Sequence, residues 1–355
     1  MAGISRLKHM MFSTMAMTLA VFVILVATIS LLFHFSFLVS IAPEISPTYT
    51  LVVAFGLASL FMLIQYVSSP RIVAASMRLI YPKPGKFPQL VTTVKELASK
   101  SNVPMPRIAI VPLQDPNACV FGNSTSRMTL VLHEGLLKQL TEDELRGVIG
   151  HELGHIRNKD SIVMTVLSTI PLIAYMIAKS ALGFGVIERR GYRRGGAAVM
   201  PLVGVVALVF YSVAQLLVLR LSRLREHFSD AHSAYVTGSP KSLESALIKI
   251  VYGLSYHPGE PHGARALLIS DPAQVKREMA LIAEKREDYD LDRDGVLDEY
   301  ELKLAMEKEA KSLWVRVNTL FSTHPPTYKR ILHLREIGEE MRAGTYTTTD
   351  IYKNI

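Results

Sequence analysis

Between Lys8 and Glu44 the chain carries no Asp, Glu, Lys or Arg, and the stretch is dense in Leu, Val, Ile, Phe and Met. A helix needs about 20 apolar residues to cross a bilayer, so Met11 to Val39 is more than long enough. The apolar core of a cleaved signal peptide runs to only about 7–15 residues, so this block reads as an anchor. A second charge-free block covers Ile45 to Pro70, with the span at Tyr49 to Val67. Two more follow: Ser161 to Gly185, interrupted by Lys179, and Ala197 to Leu219. The later pair leaves an alternative open, because Ser161 to Ala178 also suits a buried helix continuing from a folded domain.

These blocks explain why 49% of the 355 residues are apolar, only 20% are charged and mean hydropathy is +0.26. Such values exclude a disordered chain, which needs low hydrophobicity and high charge density. They also exclude an ordinary soluble globule. The net charge of +8 comes from cations beside the apolar blocks rather than from one basic face, so nucleic acid is not an expected partner. Arg6 and Lys8 precede the first block, Arg71, Arg78, Lys83 and Lys86 follow the second, and the loop between them holds only Glu44. The positive-inside rule then places both ends of the hairpin in the cytoplasm. A multi-pass protein of the plasma membrane, with its folded part in the cytoplasm, is the expectation. The basic turn Glu188 to Arg194 dissents, since it faces outside if both later blocks cross. The single cysteine, Cys119, excludes an intrachain disulfide and any multi-cysteine zinc site.

The organisation that follows is a transmembrane hairpin over 1–81, a soluble segment over 82–160, two apolar helices over 161–219 and a second soluble segment over 220–355. The soluble parts look mixed. Gln89 to Ser99 has helical spacing, Arg107 to Pro112 and Met128 to Leu132 are β-like, and from Thr141 onward the pattern is helical.

Thr141-Glu-Asp-Glu144 is a capping box that opens a helix ending in His151-Glu152-Leu-Gly-His155. Histidines four apart project from one helical face and can share one Zn2+, and Glu152 lies beside them as a general base. Zinc catalysis usually takes three protein ligands. A third histidine six residues after the second is absent, because Ser161 stands there. The candidate lies in Ser222-Arg-Leu-Arg-Glu226-His-Phe-Ser-Asp230, where Glu226 and Asp230 are again four apart. One of the two can ligate the metal while the other accepts the free N–H of a ligating histidine. His227 and His232 are rival ligands off the face of Glu226.

HELGH, two apolar blocks, SRLREHFSD and then Ser322-Thr-His324-Pro-Pro326 together resemble the HtpX-like membrane zinc metalloproteases, gluzincins related to the CAAX prenyl endopeptidase. The resemblance runs from the N-terminal hairpin to about Leu334. It implies a mainly α integral membrane protein with up to four transmembrane helices and a zincin-type α+β protease domain holding a small β-sheet. It implies one Zn2+ on His151, His155 and Glu226, Glu152 as base, Asp230 behind the ligands, and His324 stabilising the developing oxyanion. Asn117-Ala118-Cys119 is similar to the family's strand edge that pairs with extended substrate. Misfolded or membrane-associated polypeptides are the implied substrates, in a quality-control role. His227 stands where the family has an aromatic residue, Ser229 where it has Ala, and Cys119-Val120 where Phe-Ala is commoner. None of these departures removes a ligand.

One motif lies outside that pattern. Asp290-Leu-Asp292-Arg-Asp294-Gly-Val296-Leu-Asp298-Glu-Tyr-Glu301 matches the twelve-residue EF-hand loop, with Asp at 1, 3, 5 and 9, Gly at 6 and Glu at 12. It reads as an insertion over 284–305 that binds Ca2+ weakly, lacking a paired loop. Two alternatives stay open: a processing protease for one lipidated substrate, and a calcium-responsive membrane scaffold with a degenerate site. An intact Glu152 speaks against the second. Oligomeric state is not legible.

Overall fold

The computed structural model describes residues 2–188, 199–256, 268–270 and 319–344, and singly 274, 276, 288, 289, 291, 301, 304, 305, 308 and 346. The chain divides into two compact units. One comprises Met1–Met10, Ser69–Ile162 and Ser222–Ile355, and the other Met11–Ser68 and Val163–Leu221.

The second unit is built from four helices long and apolar enough to span a membrane: α1 (Ala2–Phe33), α2 (Pro47–Ser76), α6 (Asp160–Glu188) and α7 (Met200–Thr237). Each of the four expected blocks forms a helix, the second starting at Pro47 and the fourth at Met200. Their packing is sparse and apolar: Phe22 and Val26 of α1 meet Leu167 and Ile170 of α6 and Ala214 and Val218 of α7. Phe22 also sets its ring edge against Phe55 of α2 at 6.2 Å. Helix α2 buries no residue at all, and its Leu57 is 63% exposed. That pattern is unstable in water and suited to lipid, where the backbone bonds of a helix are already satisfied. After Phe33 the chain widens into a π-helical turn, His34–Leu38, where His34 Nδ1 lies 3.0 Å from Thr50 Oγ1.

The first unit holds α3 (Pro88–Lys100), β1 (Arg107–Val111), β2 (Ala118–Phe121), β3 (Thr129–His133), α4 (Glu134–Gln139), α5 (Glu142–Arg157), the end of α7, α8 (Pro240–Tyr256) and α9 (Thr327–Arg342). The sheet order is β1-β3-β2, parallel between β1 and β3 and antiparallel between β3 and β2, so β2 is an outer strand. Five consecutive residues of β3 are buried, as expected of a strand covered on both faces. The core joins Val94 and Leu97 of α3, Leu130 and Leu132 of β3, Ile149 and Leu153 of α5, Leu247 of α8 and Leu334 of α9.

The capping box forms. Thr141 Oγ1 accepts the Glu144 N–H, and Glu144 Oε2 accepts the Thr141 N–H at 2.8 Å. The Glu144 carboxylate also takes Ser245 Oγ at 2.6 Å and Lys249 Nζ at 2.9 Å, which ties the start of α5 to α8. Close approach along α5 depends on a glycine stripe. A Cβ at Gly147 would sit 2.8 Å from the Leu243 nitrogen of α8, and one at Gly154 3.0 Å from Ser229 Cα of α7.

Candidate metal centre

Helix α5 is where this close packing meets chemistry. His151 and His155 project from one face, with their Nε2 atoms 3.1 Å apart and their rings nearly perpendicular. Across from them on α7 stands Glu226, with Oε1 3.4 Å from His155 Nε2 and Oε2 3.6 Å from His151 Nε2. The three residues offer ligand atoms that all lie within 4.8 Å of one another. Among the described residues no other group of three or more His, Cys, Asp or Glu does so.

Both histidines are oriented from behind. His151 Nδ1 donates to Asp230 Oδ1 at 2.8 Å, and His155 Nδ1 donates to Asp160 Oδ2 at 2.7 Å. These two bonds leave both Nε2 lone pairs facing Glu226, the tautomer a metal ligand needs. Burial holds the His151 imidazole neutral, its pKa lowered to about 4. Glu152 is buried, and neither carboxylate oxygen has a hydrogen-bond partner. Burial, with Glu226 nearby, pushes its carboxyl up to about 8. Glu226 Oε2 also lacks a hydrogen-bond partner. Buried carboxylate atoms without a hydrogen bond are costly, and here they belong to a His2Glu donor set and the glutamate next to it in the chain. A divalent cation of Zn2+ type fits this arrangement.

Of the other expected residues, His324 is brought to the site, its Nε2 3.8 Å from Glu226 Oε1 and its Nδ1 2.9 Å from Thr323 Oγ1. The rivals are not brought there. His232 Nε2 lies 2.9 Å from Ser101 Oγ, and His227 stacks edge-on against His333 with ring centroids 5.2 Å apart. Asn117, Ala118 and Cys119 lie at the start of β2, all fully buried. Cys119 is close enough to Glu152 for that charge, after burial itself, to raise its thiol pKa. The outward carbonyl of Ala118 accepts the Ile269 N–H at 2.8 Å, and the Asn117 side chain brackets Ser270. Asp290, Asp292, Asp294, Val296 and Asp298 of the EF-hand-like loop lie outside the described residues. Glu301, its twelfth position, is buried and accepts the Leu291 N–H at 2.6 Å.

Two residues of the site escaped the sequence reading. Asp160, which orients His155, is itself held by Arg225. Its signal was a carboxylate three residues beyond the end of the HELGH helix. Arg330 of α9 is fully buried. Its Nε and Nη2 donate to the two oxygens of Asp230 at 2.9 and 2.7 Å, and its Nη1 donates to Ile269 O at 2.7 Å while standing 3.4 Å from Glu226 Oε2. These neighbouring carboxylates outweigh the cost of burial and keep it protonated.

A HExxH helix, a carboxylate on a following helix and four apolar helices define a membrane-bound metallopeptidase of the gluzincin kind. The family match and the sequence relatives agree. The description "Peptidase family M48" matches residues 84–338. A "Protease HtpX homolog" from Aeropyrum pernix is 32% identical over 80% of this chain and 86% of its own. One from Methanothermobacter thermautotrophicus is 37% identical over 62% of this chain and 80% of its own. A crystal structure of S. mikatae Ste24p aligns with 85% of this chain and 62% of that one, at 13% identity and a TM-score of 0.47. The chain belongs to peptidase family M48 and is a membrane-bound zinc metalloprotease.

Proposed function

We propose that this protein is an endopeptidase of the plasma membrane that cleaves misfolded or membrane-associated polypeptides, with its catalytic part on the cytoplasmic side. The observation that carries the reading is the unpaired, buried Glu152 beside a His151–His155–Glu226 donor set whose histidines are already oriented by carboxylates. His151, His155 and Glu226 would hold the metal. Zn2+ at such a site supplies a Lewis acid for the peptide carbonyl and lowers the pKa of water toward neutrality.

The protein groups do the rest. Glu152, with no competing hydrogen bond, takes the proton of the attacking water and passes it to the leaving nitrogen. His324 stands against Glu226, where its ring can donate a hydrogen bond to the oxyanion. Asp230 and Asp160 hold the ligand histidines in register. An extended substrate pairs with the outer strand β2 at Asn117, Ala118 and Cys119, the last beside Glu152, and displaces Ile269 from the Ala118 carbonyl. Strand addition of this kind uses the substrate backbone rather than a particular side chain. It suits unfolded chains of varied sequence, which supports the quality-control role.

We further propose that the loop from Asp290 to Glu301 binds Ca2+. The Glu301–Leu291 bond, which joins the two ends of the loop, supports this reading. Calorimetry at millimolar Ca2+ should register binding that is lost in Glu301→Gln.

The protease reading is tested by zinc content and hydrolysis of casein in detergent. Wild type is expected to carry one zinc per chain and cleave. Glu226→Gln is expected to lose both. Cleavage by a zinc-free Glu226→Gln protein would end the proposal.

A further inference from the structure

The loop that delivers His324 begins with two large apolar side chains turned outward: Leu320 is 52% and Phe321 67% exposed. What fixes their place is Arg223 of α7. Its Nη1 donates to the carbonyls of Leu320 at 3.2 Å and Ser322 at 2.6 Å, so one guanidinium brackets the backbone of Phe321. Arg223 lies on the same unbroken helix as the apolar block that ends at Leu219. With a rise of 1.5 Å per residue, it is about 6 Å beyond that block.

Helix α1 gives an independent mark. Its charge-free block starts after Lys8, and Leu7, just before it, is buried in one cluster with Phe228 of α7. Both helices therefore put the boundary between apolar and polar surroundings within the stretch Leu219 to Phe228, and Arg223 is near its middle. Arg220 and Arg223 stand in the same stretch, as cations do where a span meets the headgroups, while Arg225 turns inward to Asp160.

We propose that Leu320 and Phe321 are seated in the headgroup–acyl boundary of the bilayer and hold the His324 loop at the membrane surface. An apolar pair at that depth is removed from water without a partner protein, much as the apolar face of an interfacial helix is. Arg223 keeps its charge at the headgroups while fixing the loop by its backbone. His324 follows Phe321 by three residues, so the anchor sets the height of one wall of the metal centre. A polypeptide emerging from the bilayer then meets the site before one diffusing in from solution. The inference rests on the membrane-bound character of the chain and not on its substrate.

The test is fluorescence of the full chain in lipid nanodiscs. Trp314, the only tryptophan, is replaced by Phe and the probe is introduced as Phe321→Trp, with Leu332→Trp on the exposed side of α9 as the comparison. The expected result is blue-shifted emission at position 321, quenched several-fold more by lipids brominated near the headgroup than emission at position 332. Emission typical of water with no quenching by brominated lipid overturns the proposal. So does blue-shifted, unquenched emission that depends on protein concentration, which assigns the patch to a second copy. Leu320→Trp gives the same readout if the first variant does not fold.

Discussion

Helices α5 and α2 were both legible as helices, yet they are held by different surroundings. Ten of the sixteen residues of α5 are buried, including His151 and Glu152, while α2 buries none of its thirty. On the buried face of α5 the neighbours are protein, so shape and polar pairing decide stability. On α2 the neighbour is lipid, which is indifferent to small changes of shape and intolerant of charge. The same substitution should therefore have opposite effects on the two helices.

The largest stability effect is expected where α5 depends on a buried charge. Arg330→Met leaves Asp230 and Glu226 without their cation, which should cost about 3–5 kcal/mol in thermal unfolding in detergent. Zinc retention should fall with it, because Asp230 no longer fixes His151; metal affinity typically drops by about 10–100-fold when such a partner is lost. Unchanged zinc affinity would mean that Arg330 only balances charge.

The next prediction compares glycines. Gly154→Ala drives a methyl to 3.0 Å from Ser229 Cα and should destabilise by about 1–3 kcal/mol. Gly56→Ala on α2 meets nothing within 4 Å and should be neutral or stabilising by up to about 1 kcal/mol through helix propensity. Equal effects at the two positions would break the comparison.

The smallest effect is at the cap. Thr141→Ala should cost about 1 kcal/mol. Burial alone would raise the pKa of Glu144, but Lys249, Ser245 and Thr141 outweigh it and hold it below the usual carboxylate range. With the folded pKa lowered, its contribution is present above the unfolded value of about 4.3 and lost as pH falls through the folded one. The stability gap between wild type and Glu144→Gln should thus be full at neutral pH and close in acid.

These cases also mark what the sequence could reveal. The i, i+4 spacing of His151 and His155, the Thr141–Glu144 box and the charge-free blocks are local patterns, and each is formed as read. Glu226 became legible once its spacing from Asp230 was coupled to the HELGH motif, and His324 only through resemblance, since alone a charged helix and a turn are good readings of the two segments. Arg330 was not legible: its partner Asp230 lies 100 residues away, and nothing around Arg330 distinguishes it from a surface cation. Strand β2 shows the same limit, because its pairing with Ile269 joins segments about 150 residues apart that share no pattern.

The proposed mechanism has Glu152, buried without a hydrogen bond, move a proton and take no part in holding the metal. Zinc content and casein hydrolysis, measured together on wild type and Glu152→Gln in detergent, test it most directly. One zinc per chain in both proteins, with the rate in the variant lower by about 10²–10⁴-fold, is the predicted result. A Glu152→Gln protein that cleaves at the wild-type rate, or that is inactive only because it has lost its zinc, would contradict it.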